Sequence, residues 1–399
     1  MNKKFKKYQA QTTSNPLGLE INKAKGSFIY SKDKKYLDFV AGVSVNNLGH
    51  SNREISKAIT EQLNKYSHVM VYGEFVQEKS IELCELLSAI LPKKLNCTYL
   101  TNSGTEAIEA SLKLAKRITG RQKIVSMNNA YHGSTHGSLS VSGYEKRKRR
   151  YRPLLPNIFQ INFNSKNDLS VIDNETACVI LEPIQGGAGF ISAKKEYLRE
   201  IRRLCDKHNV ILIFDELQTG IGRTGKMFAF ENYEIVPDIL VIGKALGGGF
   251  PIGALISERK LLSKFISNPE LGHITTFGGH PVIASAGLKT LQIIIREKLH
   301  LKSVEKEKIF RDRLKHELID EIRGVGLMLC LIMNNSSVAS QLVSESLNEG
   351  LILFFLLYEK RAVRITPPLT ISEDEINKGC DIIIQCLKKI NKDMLISIW

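Results

Sequence analysis

Val210-Ile211-Leu212-Ile213-Phe214 is an unbroken apolar run. A strand with one wet face alternates apolar and polar residues; an unbroken run belongs to a strand covered on both faces. Strands of that kind sit in parallel sheets sandwiched by helices, so the run commits the chain to an α/β layout. The pattern recurs at Ile239-Leu240-Val241-Ile242, and both runs end in chemistry. The first delivers Asp215-Glu216-Leu217-Gln218, the second Gly243-Lys244, with Gly247-Gly248-Gly249 soon after. The chain between them suffices for one crossover. Asp215 and Lys244 are thus expected at one edge of a parallel sheet, where α/β folds bind ligands.

Lysine is rarely fully buried without a partner. Lys244 alone fits two readings: a side chain snorkelling at a sheet edge, or an amine that loses its proton in a desolvated site and condenses with an aldehyde. The carboxylate one strand away favours the second. A lysine facing a carboxylate suits pyridoxal phosphate: the lysine carries the aldehyde carbon and Asp215 keeps the pyridine nitrogen protonated.

Other strands also end in polar groups. Cys97 to Thr101 reads as a strand stopped by Asn102-Ser103-Gly104, with a helix from Thr105 to Thr119 and Gly120 as its C-cap. Ser103 with Glu106 has the spacing of a capping box. The helix is either an ordinary capped one, or its free amides at Gly104 and Thr105 hold a phosphate. Lys123 to Met127 leads to Tyr131-His132-Gly133, and Ala177 to Leu181 ends in Glu182. Ile158 to Ile161 is a further strand, Ala193 to His208 a crossover helix, and Ile252 to Ile256 closes the sheet.

Beyond Leu299 the pattern changes. A helix is expected over Leu301 to Leu318, a strand over Ile322 to Met333 and a helix over Ser337 to Asn348. Strands over Leu351 to Leu357 and Ala362 to Thr366 and a helix over Ser372 to Asn391 follow. The expected division is an N-terminal arm and hairpin (1–50, with the hairpin turning around Asp33), a large cofactor-binding domain (51–298) and a small C-terminal α+β domain (299–399).

The ordered motifs Ser103-Gly104-Thr105-Glu106, Tyr131-His132-Gly133, Glu182-Pro183-Ile184-Gln185-Gly186, Asp215-Glu216-Leu217-Gln218-Thr219-Gly220, Lys244-Ala245-Leu246-Gly247-Gly248-Gly249 and Thr275-Thr276-Phe277-Gly278-Gly279 resemble those of class III pyridoxal-phosphate aminotransferases of the ornithine and acetylornithine type. The resemblance runs from about Gly26 to about Ile376. It implies fold type I: a mostly parallel, seven-stranded type of sheet between helices. It implies pyridoxal 5'-phosphate held by Ser103, Gly104, Thr105, Tyr131, His132, Glu182, Asp215, Gln218, Lys244 and Thr276. In the family the aromatic at Tyr131 stacks on the pyridine, Gln218 meets the phenolic oxygen, and Thr276 reaches the phosphate held by a second subunit, hence a homodimer. Lys244 and Asp215 are the expected catalytic pair. Arg364, Thr275 and Ser134 are the expected substrate contacts, with Arg364 as a fork for a carboxylate.

The implied reaction moves an ω-amine, of acetylornithine or a similar diamino acid, to 2-oxoglutarate, as in arginine biosynthesis. Alternatives are 4-aminobutyrate, ornithine or succinyl-diaminopimelate as donor, or an aminomutase or decarboxylase on the same fold. Two positions depart from the family pattern. The arginine usual after the aromatic-His-Gly is Ser134, and the glutamate usual after Gln-Gly is Gly187. The second anchor is then expected from Arg149, Arg150 or Arg152.

The net charge of +15 over 399 residues raises a nucleic-acid reading. The basic residues are spread along the chain, the one dense run being Lys146-Arg147-Lys148-Arg149-Arg150-Tyr151-Arg152, so no nucleic-acid partner is expected. No apolar run approaches the roughly 20 residues of a membrane helix. The seven cysteines are scattered, without C-x-x-C spacing, as in a reducing cytoplasm. His132 and His136 lie four apart but flank Gly133 and Ser134 without an acidic companion, so no metal site is expected.

Overall fold

Strands β1 (Cys97–Thr101), β2 (Lys123–Met127), β3 (Ile158–Ile161), β4 (Thr176–Leu181), β5 (Ile211–Asp215), β6 (Ile239–Gly243) and β7 (Gly253–Ser257) form one sheet in the order β1-β7-β6-β5-β4-β2-β3. This is a computed structural model, and it describes residues 2–32 and 34–396. All strands except β7 point the same way; β7 runs antiparallel to both neighbours. The expectation that residues 252–256 close the sheet is corrected in one respect: β7 lies inside it, between β1 and β6.

Both faces of the sheet are covered, as the apolar runs require. Ile211 and Ile213 of β5 enter one core cluster with helix α1 (Gly104–Thr119), while Leu212 and Phe214 enter the other, with Leu198 and Ile201 of helix α2 (Lys195–His208). Parallel direction brings the C-terminal ends of β1, β2, β4, β5 and β6 to one edge. The residues following those ends are Asn102-Ser103, Asn128 to His132, Glu182, Glu216 and Lys244.

A second, antiparallel sheet is built from β8 (Ile319–Val325), β9 (Met328–Met333), β10 (Phe354–Phe355) and β11 (Ala362–Ile365), in the order β8-β9-β11-β10. The single strand expected over 322–333 is instead a hairpin, turned at Gly326 with φ +62°. The strand expected over 351–357 is two short pieces in different sheets. Leu351–Ile352 pairs in parallel with Lys35–Asp38 of the N-terminal meander, whose other strands are Lys23–Lys25 and Phe28–Tyr30. The expected turn residue Asp33 lies outside the described residues. Within the expected arm, Asn2–Tyr8 is a short exposed helix.

Candidate active site

Lys244 opens the turn after β6 with φ +43°, in the left-handed region. A residue with a β-carbon held there costs on the order of 1–3 kcal/mol, a form of strain that clusters at functional sites. The residue as a whole keeps partial access to solvent. Burial of its amine nevertheless pushes the pKa below the ordinary lysine value; Asp215 and Glu182 pull it up, and Arg364 adds to the lowering. Burial therefore favours the neutral, nucleophilic form.

Asp215 ends β5, in register with Val241 of β6. One carboxylate oxygen meets His132 Nδ1 at 2.7 Å and the other accepts from the Leu217 amide at 3.0 Å. Both side chains of the His132–Asp215 pair are buried. The far nitrogen of that histidine, Nε2, is buried without a partner. Glu182, at the tip of β4, accepts from the amides of Tyr131 and Gly186, both at 2.9 Å. Burial pushes Glu182 up to about 7; His132 opposes the shift and Asp215 adds to it.

The turn from β1 into α1 supplies an anion cradle. Ser103 is the N-cap, its hydroxyl accepting from the Glu106 amide at 3.4 Å. The capping box is shifted by one residue: Glu106 reaches the Asn102 amide at 2.7 Å rather than that of Ser103. Gly104 and Thr105 begin the helix, so their amides have no intrahelical acceptor. A β-carbon on Gly104 would stand 2.5 Å from Leu217, which follows Asp215 closely. Glycine thus lets the cradle press against the exit of β5. The Thr105 hydroxyl lies 2.7 Å from those of Thr135 and Ser138, which ties the cradle to the loop after Tyr131.

Arg364 sits on β11 opposite Cys330 and Phe354, over the ring of Phe190. It is 5% exposed, and its Nε and Nη1 have no partner among the described residues. Burial brings its pKa down to about 10. A second buried arginine, Arg223, donates to the carbonyls of Leu327 and Pro367 and to Asn47 Oδ1. Burial and the nearby Arg364 charge bring it down to about 9. Gln218 donates to Ser44 Oγ at 3.2 Å.

Three expected residues lie apart from this group. Ser134 is exposed, its hydroxyl 3.4 Å from that of Tyr131. Thr275 accepts from the Gly278 amide at 2.6 Å and from Asn102 Nδ2 at 3.4 Å. Thr276 is exposed on the same loop, lining a shallow cavity with Asn102 and Glu106. Of the arginines offered as a second anchor, Arg152 is bound to Glu145 at 2.9 Å. The guanidinium that lies over a site residue is that of Arg147, 5.8 Å from the ring centre of Tyr358. Sequence reasoning missed Arg147 and Tyr358; the glycine at 187 was the available signal, because a β-carbon there would stand 2.7 Å from the Tyr358 ring.

An amine held toward neutrality, a buried carboxylate aimed by a histidine, and free helix amides fit pyridoxal phosphate, which presents an aldehyde, a basic ring nitrogen and a phosphate. The fold agrees. The chain superposes with a TM-score of 0.91 on the ornithine aminotransferase of Toxoplasma gondii, at 28% identity over 98% of this chain and 93% of that one. It superposes equally, at 0.91, on an omega transaminase from Pseudomonas jessenii, at 25% identity over 98% of each chain. Its architecture is that of the fold type I pyridoxal-phosphate enzymes. Residues 8–387 match the model of the aminotransferase class-III family, to which the chain belongs: it is an aminotransferase with pyridoxal 5'-phosphate as cofactor. Among relatives, it is 39% identical over 382 residues to an acetylornithine aminotransferase of Clostridium acetobutylicum, covering 92% of this chain and 96% of that protein. It is 40% identical over 318 residues to a LysW-aminoadipate semialdehyde/glutamate semialdehyde transaminase of Sulfolobus acidocaldarius, covering 78% and 81%.

Proposed function

We propose that this enzyme moves the ω-amine of an acylated diamino acid, acetylornithine foremost, to 2-oxoglutarate and releases glutamate. The observation that carries the reading is Arg364. Its guanidinium is buried with two nitrogens unpartnered among the described residues, and Gly187 stands where the resembled family usually carries a glutamate. A buried arginine left in that state is poised for a substrate carboxylate, to which it forms a bidentate pair. The relatives named acetylornithine aminotransferase support the donor.

When bound, pyridoxal phosphate supplies a carbonyl that exchanges amino groups and a ring that accepts the electron pair released at the substrate carbon. The chain's residues take the remaining roles. Gly104, Thr105 and Ser103 hold the phosphate, and Tyr131 covers the ring and keeps water out. Asp215, fixed by His132 and the Leu217 amide, holds the proton on the ring nitrogen. Gln218, Glu182 and His132 complete the contacts to the ring. With the cofactor bound, the Lys244 amine would move the proton between the two carbons that exchange the amino group. We further propose that the chain works as a cytoplasmic homodimer in which Thr276 serves the neighbouring site, and that residues 51–298 form the large domain and 299–399 the small one.

The test is a donor panel with 2-oxoglutarate: acetylornithine, ornithine, 4-aminobutyrate and succinyl-diaminopimelate, with glutamate as the readout. The expected order puts acetylornithine first by kcat/KM, and Arg364→Lys is expected to raise the KM for 2-oxoglutarate about 10–100-fold. A faster donor elsewhere in the panel overturns the donor. Normal 2-oxoglutarate kinetics in the variant overturns the role of Arg364.

A further inference from the structure

Gly187 and Tyr358 pack against each other. The Tyr358 amide donates to the Gly187 carbonyl at 2.9 Å. The close approach of its ring leaves no room for a side chain at 187. The ring is held on its other side by Tyr144, stacked at 4.4 Å with 17° between planes. Arg147 lies over the same ring, a cation–π contact that sets its guanidinium in place. Among the described residues Arg147 has no ion-pair partner.

Tyr144, Arg147 and Tyr358 wall a cavity of about 450 Å³ that Tyr131 and Ser134 also line. Its lining includes Lys146, Arg147, Lys148 and Arg150 and not a single carboxylate. Lys148 is 4% exposed and donates to the Ser140 carbonyl at 3.3 Å. A concave, aromatic-walled space with four cations and no carboxylate in its lining takes an anion.

We infer that this cavity is the subsite for the distal end of the amine donor and that Arg147 binds its carboxylate, replacing the arginine absent at Ser134. The choice of donor class rests on the reading above. The geometry fits an ω-amine donor: no carboxylate flanks its reacting carbon, so Arg364 stays idle and the distant carboxylate alone orients the molecule. Arg147 is thus a specificity-determining residue, and the dense basic run is a piece of the substrate site.

The probe is N-acetylnorvaline, which is acetylornithine without its reacting amine, compared with N-butylacetamide, which lacks the carboxylate as well. Binding of each to the holoenzyme is measured by calorimetry. Arg147→Met is expected to weaken N-acetylnorvaline about 10–100-fold and to leave N-butylacetamide unchanged, with Arg147→Lys between. In the first half-reaction, without acceptor, Arg147→Met should raise the KM for the donor while changing kcat little. Arg147 is exposed, so its variants are expected to fold. Equal weakening of both probes, or of neither, overturns the subsite. A wild-type enzyme that ignores acetylornithine as donor, yet loses N-acetylnorvaline on Arg147→Met, overturns the donor and upholds the subsite.

Discussion

Lys244 holds its strained backbone whether or not its amine does chemistry, because φ +43° burdens any residue with a β-carbon. Lys244→Ala therefore isolates the amine: the backbone cost stays and the burial of the amine goes. The variant is expected to melt at the same temperature as wild type or higher, with turnover down at least about 10²–10⁴-fold, the usual share of a positioned acid–base group. Borohydride reduction of wild-type holoenzyme should leave its label on the peptide containing Lys244, and the variant should take none. A label elsewhere removes the assignment. Lys244, Asp215 and Glu182 were legible in sequence because each stands at the tip of an apolar run whose end a reader can see. His132 against Asp215 was not, because that contact depends on the order of strands rather than on spacing along the chain. Arg147 over Tyr358 was still further from view: the two stand far apart in the chain, and the sign between them is Gly187, whose missing side chain makes room for the Tyr358 ring.

Elements place the carboxylates of the site, and they also set how the fold responds to pH. Glu216 follows Asp215 directly, yet it turns away from the site. It accepts from the amides of Ala229 and Phe230 (2.7 Å for the latter) and from the Thr219 hydroxyl at 3.2 Å, so that one buried side chain caps the turn at Ala229–Asn232. Burial pushes it from the ordinary 4.5 up to about 7. The sign follows: the folded state binds this proton more tightly than the unfolded one. Its contribution is present in full below pH 4.5 and is lost as pH rises through about 7. Glu216→Gln cannot titrate. Measured by urea melts, the stability of wild type relative to that variant should fall between pH 4.5 and 7.5, by at most ~3 kcal/mol. A flat difference would show that Glu216 stays ionised in the fold. Strands buried on both faces and capped helices could be read in advance from their runs and spacings. The hairpin at Gly326 escaped because the apolar stretch following the turn hides it. Leu351 to Phe355 escaped because strand propensity does not say which sheet a residue joins.

At the scale of the whole molecule, one surface lacks a cover. A cavity of about 770 Å³ is lined by residues of 71–89 and 273–279. Phe75 and Ile274 in its wall stand 56% and 44% exposed, and Val76 and Phe277 on the same two segments 89% and 51%. Apolar side chains gathered on one face mark an interface more often than scattered ones do. Thr276 lies exposed between Thr275 of that lining and Phe277, on the loop that in the resembled family reaches the neighbouring phosphate site. The proposed dimer is therefore expected to sediment at about 90 kDa, from chains of 44.8 kDa. It also predicts complementation. Thr276→Glu puts a like charge against the phosphate of the partner's site, while Lys244→Ala disables its own. Each variant alone should be inactive. In a hybrid of the two, the site that keeps its lysine receives the intact Thr276 from the other subunit and should work. Refolding an equal mixture should restore about a quarter of wild-type turnover, since half of the dimers formed at random are hybrids with one working site in two. If the mixture stays as inactive as its parts while wild type refolds normally, Thr276 acts within its own chain and the shared site is wrong. A chain that sediments as an active monomer would refute the dimer itself.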